Sequence, residues 1–223
     1  MDEINSLKGV QAENEELKKQ VQDLTLEKNQ LIADRYELQE LRELYSLEDR
    51  FREYNKIGAR VIGKDPGNWF SVFLIDKGKN DGIEKNMNVI AGDGLVGIVT
   101  EVGPDYATVR SIIDDASNVS SMVLSTSDTI MVTGDLKLLS SGKIRFSQLS
   151  NPDSKAAIGD EIVTSNISSK FLPELTVGYI SSIETDPNNL TRSGTLTPAV
   201  DFAHLNTVMV IKSLKVTDNA GED

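Results

Sequence analysis

Cysteine is absent from the 223-residue chain. That excludes a disulfide scaffold, a thiolate metal site and a thiol nucleophile. Histidine occurs once, at His204, so a site built from several imidazoles is excluded as well. Positive charge is scarce: 23 Lys and Arg stand against 35 Asp and Glu, a formal charge of −12. That balance is wrong for a nucleic-acid backbone, which needs clustered Lys and Arg. No apolar run approaches the ~18 residues of a membrane span, and no signal-peptide core opens the chain. From Ile4 to Asn55 there is no proline and a single glycine, Gly9.

That stretch is dense in Glu, Gln, Lys and Leu. Val10, Leu17, Leu24, Leu31 and Leu38 recur every seven residues, the spacing of position d in a heptad. The a positions are Leu7, Asn14, Val21, Lys28 and Arg35, so the seam is apolar on one side and largely polar on the other. A buried Asn at a costs stability and selects a two-stranded, in-register pairing. Glu13 at g and Lys18 at the following e meet with opposite charge across a parallel pair. These ten seam residues predict a coiled-coil helix over 1–55 that makes a weak parallel homodimer. After Leu38 the stripe widens: Leu41, Leu44, Leu47, Phe51 and Tyr54 are expected to pack the helix end on a β domain. Lys56 and Gly58 read as the helix C-terminus. A coil that opens at the first residues is expected to follow an upstream segment missing here.

From Ala59 the texture changes. Runs rich in Val, Ile, Thr and Phe alternate with Gly, Asp, Asn and Pro clusters, which predicts many short strands in small barrels. Twelve strands are expected, from Ala59–Lys64 to Val208–Ile211. A first β unit spans 59–113 and is completed by 190–212; a second spans 114–189; a polar, disordered tail is expected over 213–223. The fold class is therefore mainly β: a long N-terminal coiled-coil helix followed by two small, related, barrel-like units. The relation rests on an internal echo. Leu95-Val96-Gly97-Ile98-Val99 with Val102 matches Thr176-Val177-Gly178-Tyr179-Ile180 with Ile183. Upstream, Met87-Asn88-Val89-Ile90 sits where Gly159-Asp160-Glu161-Ile162-Val163 would; downstream, Thr108 to Ile112 is paired with Thr191 to Thr195. A glycine inside a strand marks a bend or a close backbone approach.

Motifs that suggest chemistry fail on context. Gly92 to Gly97 fits G-x-G-x-x-G, but a β-branched run follows where a dinucleotide site needs a helix; a hairpin is expected. Ser140-Ser141-Gly142-Lys143 fits S-x-x-K without the companion elements of penicillin-interacting enzymes, and is expected to be a hairpin turn. His204 near Asp201 has no nucleophile elbow to serve. Asp114-Asp115 and Asp76 with Asp81 read as turn caps. No catalytic, cofactor or metal residue is expected.

Several stretches in order resemble the bacterial cell-shape-determining MreC family. They are Arg60 to Lys64 with Asp65, Pro66 and Trp69; Asp76, Lys77 and Gly78 with Asp81 and Gly82; Gly94 and Gly97; and, in the second copy, Gly178. The resemblance covers about Ala59 to Lys212. It implies a non-enzymatic scaffold of the wall-elongation machinery at the extracytoplasmic face of the cell membrane. It also implies MreD, RodZ, MreB and an elongation-class penicillin-binding protein as partners, with the membrane reached only through the missing upstream segment. A hydrolase or degenerate protease-like barrel protein is the alternative, and a glycan-binding module a remoter one. Partner contacts are expected at exposed strand edges or an apolar groove on the heads, first of all at the cleft between the heads and at the helix end near Phe51 and Tyr54.

Overall fold

The computed structural model describes residues 14–37, 54–64, 70–92, 94–151, 155–187 and 189–215. The chain divides into two compact units, Met1–Ser46 and Leu47–Asp223. In the first, residues 14–37 form one helix, α1. The second holds two closed barrels and is taken below by itself.

The first barrel runs, in spatial order, β1 (Lys56–Lys64), β12 (Thr207–Ile211), β3 (Asn88–Ala91), β4 (Gly94–Val102), β5 (Ala107–Ser111) and β2 (Val72–Ile75). The second runs β10 (Thr176–Thr185), β11 (Thr191–Pro198), β8 (Ile144–Ser150), β7 (Thr129–Thr133), β6 (Asn118–Val123) and β9 (Glu161–Thr164). Every neighbouring pair is antiparallel. Period-two alternation drives the closure. In β5, Ala107, Val109 and Ser111 point inward while Thr108 and Arg110 do not; in β7, Ile130 and Val132 point inward. Phe73 fills the first barrel and Phe146 the second, both fully buried. Each such side chain contributes roughly 1.5–3 kcal/mol by leaving water.

All twelve expected strands form, with ends shifted by a few residues. Two expectations are corrected. Lys56 and Gly58 do not end a helix: they begin β1, opposite Ile211 and Met209 of β12. The first unit is not completed by 190–212: β11 closes the second barrel, and only β12 returns to the first.

The barrels share one plan. Read around each ring, β3-β4-β5-β2-β1-β12 corresponds to β9-β10-β11-β8-β7-β6. The sixth strand comes from the chain's C-terminal side in one barrel and from the start of the unit in the other. Register confirms the upstream echo, since Val89 faces Gly97 as Ile162 faces Gly178. The downstream echo is out by four residues. Val99 opposite Val109 matches Ile180 opposite Leu196, and Glu101 opposite Thr108 matches Ser182 opposite Thr195. Thr108 therefore corresponds to Thr195, not Thr191. Both hairpins carry an extra residue between those pairs, Thr100 and Ser181. Each of these hydroxyls donates to the carbonyl of the matching threonine, Thr108 at 3.3 Å and Thr195 at 3.1 Å.

The barrels are joined by buried polar and tight backbone contacts. Asn88 on β3, 1% exposed, accepts from the Leu172 amide at 2.7 Å and donates to the Lys170 carbonyl at 3.1 Å. A Cβ at Gly94 would overlap Ala199 and Val200 in the crossover to β12. Phe70 N donates to the carbonyl of Phe202 in the same crossover.

Candidate partner-binding surface

Every residue of α1 is exposed. Its Asn14, Leu17, Val21, Leu24, Lys28, Leu31 and Arg35 recur at alternating steps of four and three, so they share one face. Leu17, Val21, Leu24 and Leu31 are 53–63% exposed, while the barrel interiors reach zero. Ile32, at the e position, flanks this face, while the exposed Tyr36 at b and Leu26 at f lie off it. The helix holds itself with local bonds: Thr25 Oγ1 donates to the Val21 carbonyl at 2.6 Å, and Gln20 pairs with Glu16. The expected seam residues Leu7, Val10 and Leu38 lie outside the described residues, as do Leu41, Leu44, Leu47 and Phe51. Tyr54 is half-buried against the barrel core, in a bend just before β1.

The family-motif residues build a turn that braces the first barrel. Asp76 Oδ1 accepts from Arg60 N at 2.7 Å, fixing β1 to the end of β2. Residues Lys79–Asp81 form a single 3-10 turn. Asp81 accepts from Gly78 N at 3.1 Å and from Lys77 Nζ at 3.3 Å. The Gly78 amide, helped by Lys77 and Lys212, holds the Asp81 carboxyl below the usual carboxylate range. Lys79 N and Asn80 N donate to the carbonyls of Gly103 and Pro104, so Gly78 packs on the β4–β5 turn too closely to admit a Cβ. Gly82 closes the turn at φ +81°, a left-handed conformation that glycine adopts without strain. Lys212 Nζ donates to the carbonyl of Asp81 at 3.0 Å. Asp65, Pro66 and Trp69 lie outside the described residues.

The enzyme-like motifs resolve into structure. Gly92 turns between β3 and β4, and Gly94 to Gly97 lies in β4, so the glycine motif belongs to a hairpin as expected. Ser140 to Lys143 is not a simple hairpin turn. It ends a one-turn helix, α2 (Leu136–Leu139), capped by Asp135, and the Ser140 and Ser141 hydroxyls donate to the Lys137 and Leu138 carbonyls. The Leu138 amide and Arg145 hold the Asp135 carboxyl low. Asp114 accepts from Ala116 N, and Asp115 accepts from Leu136 N. His204 Nδ1 lies 2.8 Å from Asp201 Oδ2 in an exposed turn, the His side chain 80% exposed. That hydrogen bond lowers the Asp201 carboxyl, and it leaves the pair in solvent instead of in a pocket. Among the described residues no group of three or more His, Asp or Glu is placed to hold a metal.

Strand edges are not available as expected. Among the described residues both sheets close on themselves, which leaves little of the free edge that strand addition needs. The exposed apolar residues of the barrels are side chains instead. Tyr179 sits on the outer face of β10 opposite Glu161, with Leu124 bonded to Glu161 on the far side, and Ile158 precedes β9. These three residues were not singled out in the sequence. The available signal was a Tyr at an outward position within the otherwise buried first half of β10.

Two tandem six-stranded antiparallel barrels, following a helix with an exposed apolar heptad face, define a tandem-barrel protein. The comparisons then identify the family. The family described as rod shape-determining protein MreC, barrel core, matches residues 61–212. The cell shape-determining protein MreC of Listeria monocytogenes is 31% identical over 218 residues, 95% of this chain and 72% of that protein. A solved MreC structure from Listeria monocytogenes superposes with TM-score 0.66 at 29% identity, covering 93% of this chain and all of that one. A complex between penicillin-binding protein PBP2 and MreC from Helicobacter pylori shares the fold at TM-score 0.55 and 16% identity, over 71% of this chain and 99% of that one. The chain belongs to the MreC family of cell shape-determining proteins. Among the described residues no helix is long and apolar enough to cross a membrane.

Proposed function

We propose that this chain is a non-enzymatic scaffold of the cell-wall elongation machinery at the extracytoplasmic face of the bacterial membrane. Helix α1 pairs two copies in parallel, and the paired barrels hold wall-synthesis partners in place. The observation that carries this reading is the uncovered seam from Leu17 to Leu31. A helix with a bare row of Leu and Val gains little alone, because isolated helices are marginal in water. Covering that row with a second copy supplies the missing burial. The barrels, with buried apolar interiors and carboxylates spent on turns and caps, offer surfaces and no reaction centre in their described residues. An elongation-class penicillin-binding protein is the leading partner, supported by the Helicobacter pylori complex. MreD, RodZ and MreB, and the membrane anchorage, follow from the family resemblance.

Pairing makes weak contacts effective. The second head of a dimer meets its partner at an effective concentration in the millimolar range, roughly 10²-fold or more above independent binding. The test is capture of an elongation-class penicillin-binding protein from solubilised membranes. The full chain and a chain lacking residues 1–40 serve as bait. The shortened chain is expected to keep its barrels folded and to capture much less. Equal capture by both baits overturns the role of pairing, and no capture by either overturns the partner.

A further inference from the structure

The two cations in the seam have no acid three or four residues away on their own helix. Positions three and four away from Lys28 hold Leu24, Thr25, Leu31 and Ile32. The same positions around Arg35 hold Leu31, Ile32, Leu38 and Gln39. Those are the only spacings at which helical side chains meet. Lysines off the seam differ: Lys18 has Glu15 three residues back, and Lys19 has Glu15, Glu16 and Asp23 within reach. The ion pairs among the described residues lie elsewhere, in the barrel unit. Each seam cation is, however, preceded directly by an acid at g: Glu27 before Lys28, Asp34 before Arg35. One residue apart on a helix, the two side chains diverge. Across a parallel, in-register pair they converge, because a residue at a enters a hole partly walled by the preceding g of the facing helix. An antiparallel pair instead sets g against g, acid on acid.

We propose that Lys28 and Arg35 of one chain pair with Glu27 and Asp34 of a second copy, so that the polar half of the seam selects a parallel, in-register homodimer. This rests on the pairing role of α1 proposed above. Apolar residues at 28 and 35 would bind more tightly but specify orientation and partner less. The exposed ion pairs add little strength and are screened by salt. The dimer is therefore specific yet exchangeable, and other acidic-seam or apolar-seam coils are poor substitutes for a second copy.

The test is sedimentation of the full chain with two reciprocal variants, Lys28→Glu/Arg35→Glu and Glu27→Lys/Asp34→Lys. Each variant alone sets like charges together across the pair and is expected to weaken self-association roughly tenfold or more. An equimolar mixture restores opposite charges and is expected to pair at least as well as the parent chain. All four side chains are exposed, so circular dichroism of the barrels is expected to stay unchanged. Orientation is read separately. The chain has no cysteine, so Leu17→Cys is expected to form an interchain disulfide rapidly under mild oxidation. Variants that dimerise like the parent, a mixture that remains monomeric, or no disulfide at residue 17 would overturn the proposal while leaving pairing intact. A monomeric parent chain overturns the pairing reading itself.

Discussion

Gly97 of β4 lies against Arg110 of β5 so closely that a Cβ would overlap the arginine carbonyl oxygen. Gly178 of β10 stands in the same relation to Thr197 of β11. In both barrels the glycine lies next to a register shift, where the sheet turns a corner. Gly97→Ala and Gly178→Ala are each expected to cost about 1–3 kcal/mol, because backbone and not a flexible side chain must move. Gly58→Ala is the control. It lies in β1 with open space around its Cβ, and is expected to be neutral or stabilising by up to about 1 kcal/mol. Urea midpoints of the three variants check this.

Asn88 couples the two barrels. Its amide is the partner of the Leu172 N–H and the Lys170 carbonyl, in a setting where water does not replace it. Asn88→Ala is expected to cost about 1–3 kcal/mol, chiefly through the orphaned groups. Amide hydrogen exchange at Leu172 is expected to accelerate more than exchange in β6 or β7. Equal acceleration everywhere would show a global and not a local role.

Acid is expected to loosen the first barrel through Asp81. Its folded pKa lies below the unfolded value near 4, so its contribution is present above about pH 4 and is lost as the pH falls through the folded pKa. Asp135 behaves alike, held by the Leu138 amide. So does Asp186, held by the Ser193 and Thr191 hydroxyls. Asp81→Asn is expected to lower the urea midpoint at pH 7, with the difference from the parent chain closing towards about pH 2. A difference constant with pH would mean that the charge is not what matters.

What could be read from residue order was local. Alternation in Ala107-Thr108-Val109-Arg110-Ser111 marks β5 whatever surrounds it, and the other strands announce themselves similarly. Lys56 and Gly58 misled because a helix C-terminus is local chemistry, while β1 is made by pairing with β12 some 150 residues away. The membership of β11 was hidden for the same reason: a strand's composition does not say which ring it closes. The register of the second echo failed because the β10–β11 hairpin is longer, so its Thr195 and not Thr191 meets the bulge at Ser181. Of the candidate surface, the seam was plain from its period. The outward side chains Leu124, Ile158 and Tyr179 were not, because which face of a strand looks outward is settled by pairing with strands from separate parts of the chain.

Whether two copies pair through α1 decides more than any other fact. Leu24 is 63% exposed and central in the described seam, so Leu24→Asp removes one apolar layer of the helix and no residue of the barrels. The decisive measurement is the mass in solution of the 24.4 kDa chain and of this variant by sedimentation equilibrium. The parent is expected at twice the chain mass and the variant at one chain mass, with the same barrel melting temperature. Identical masses for the two would contradict the account.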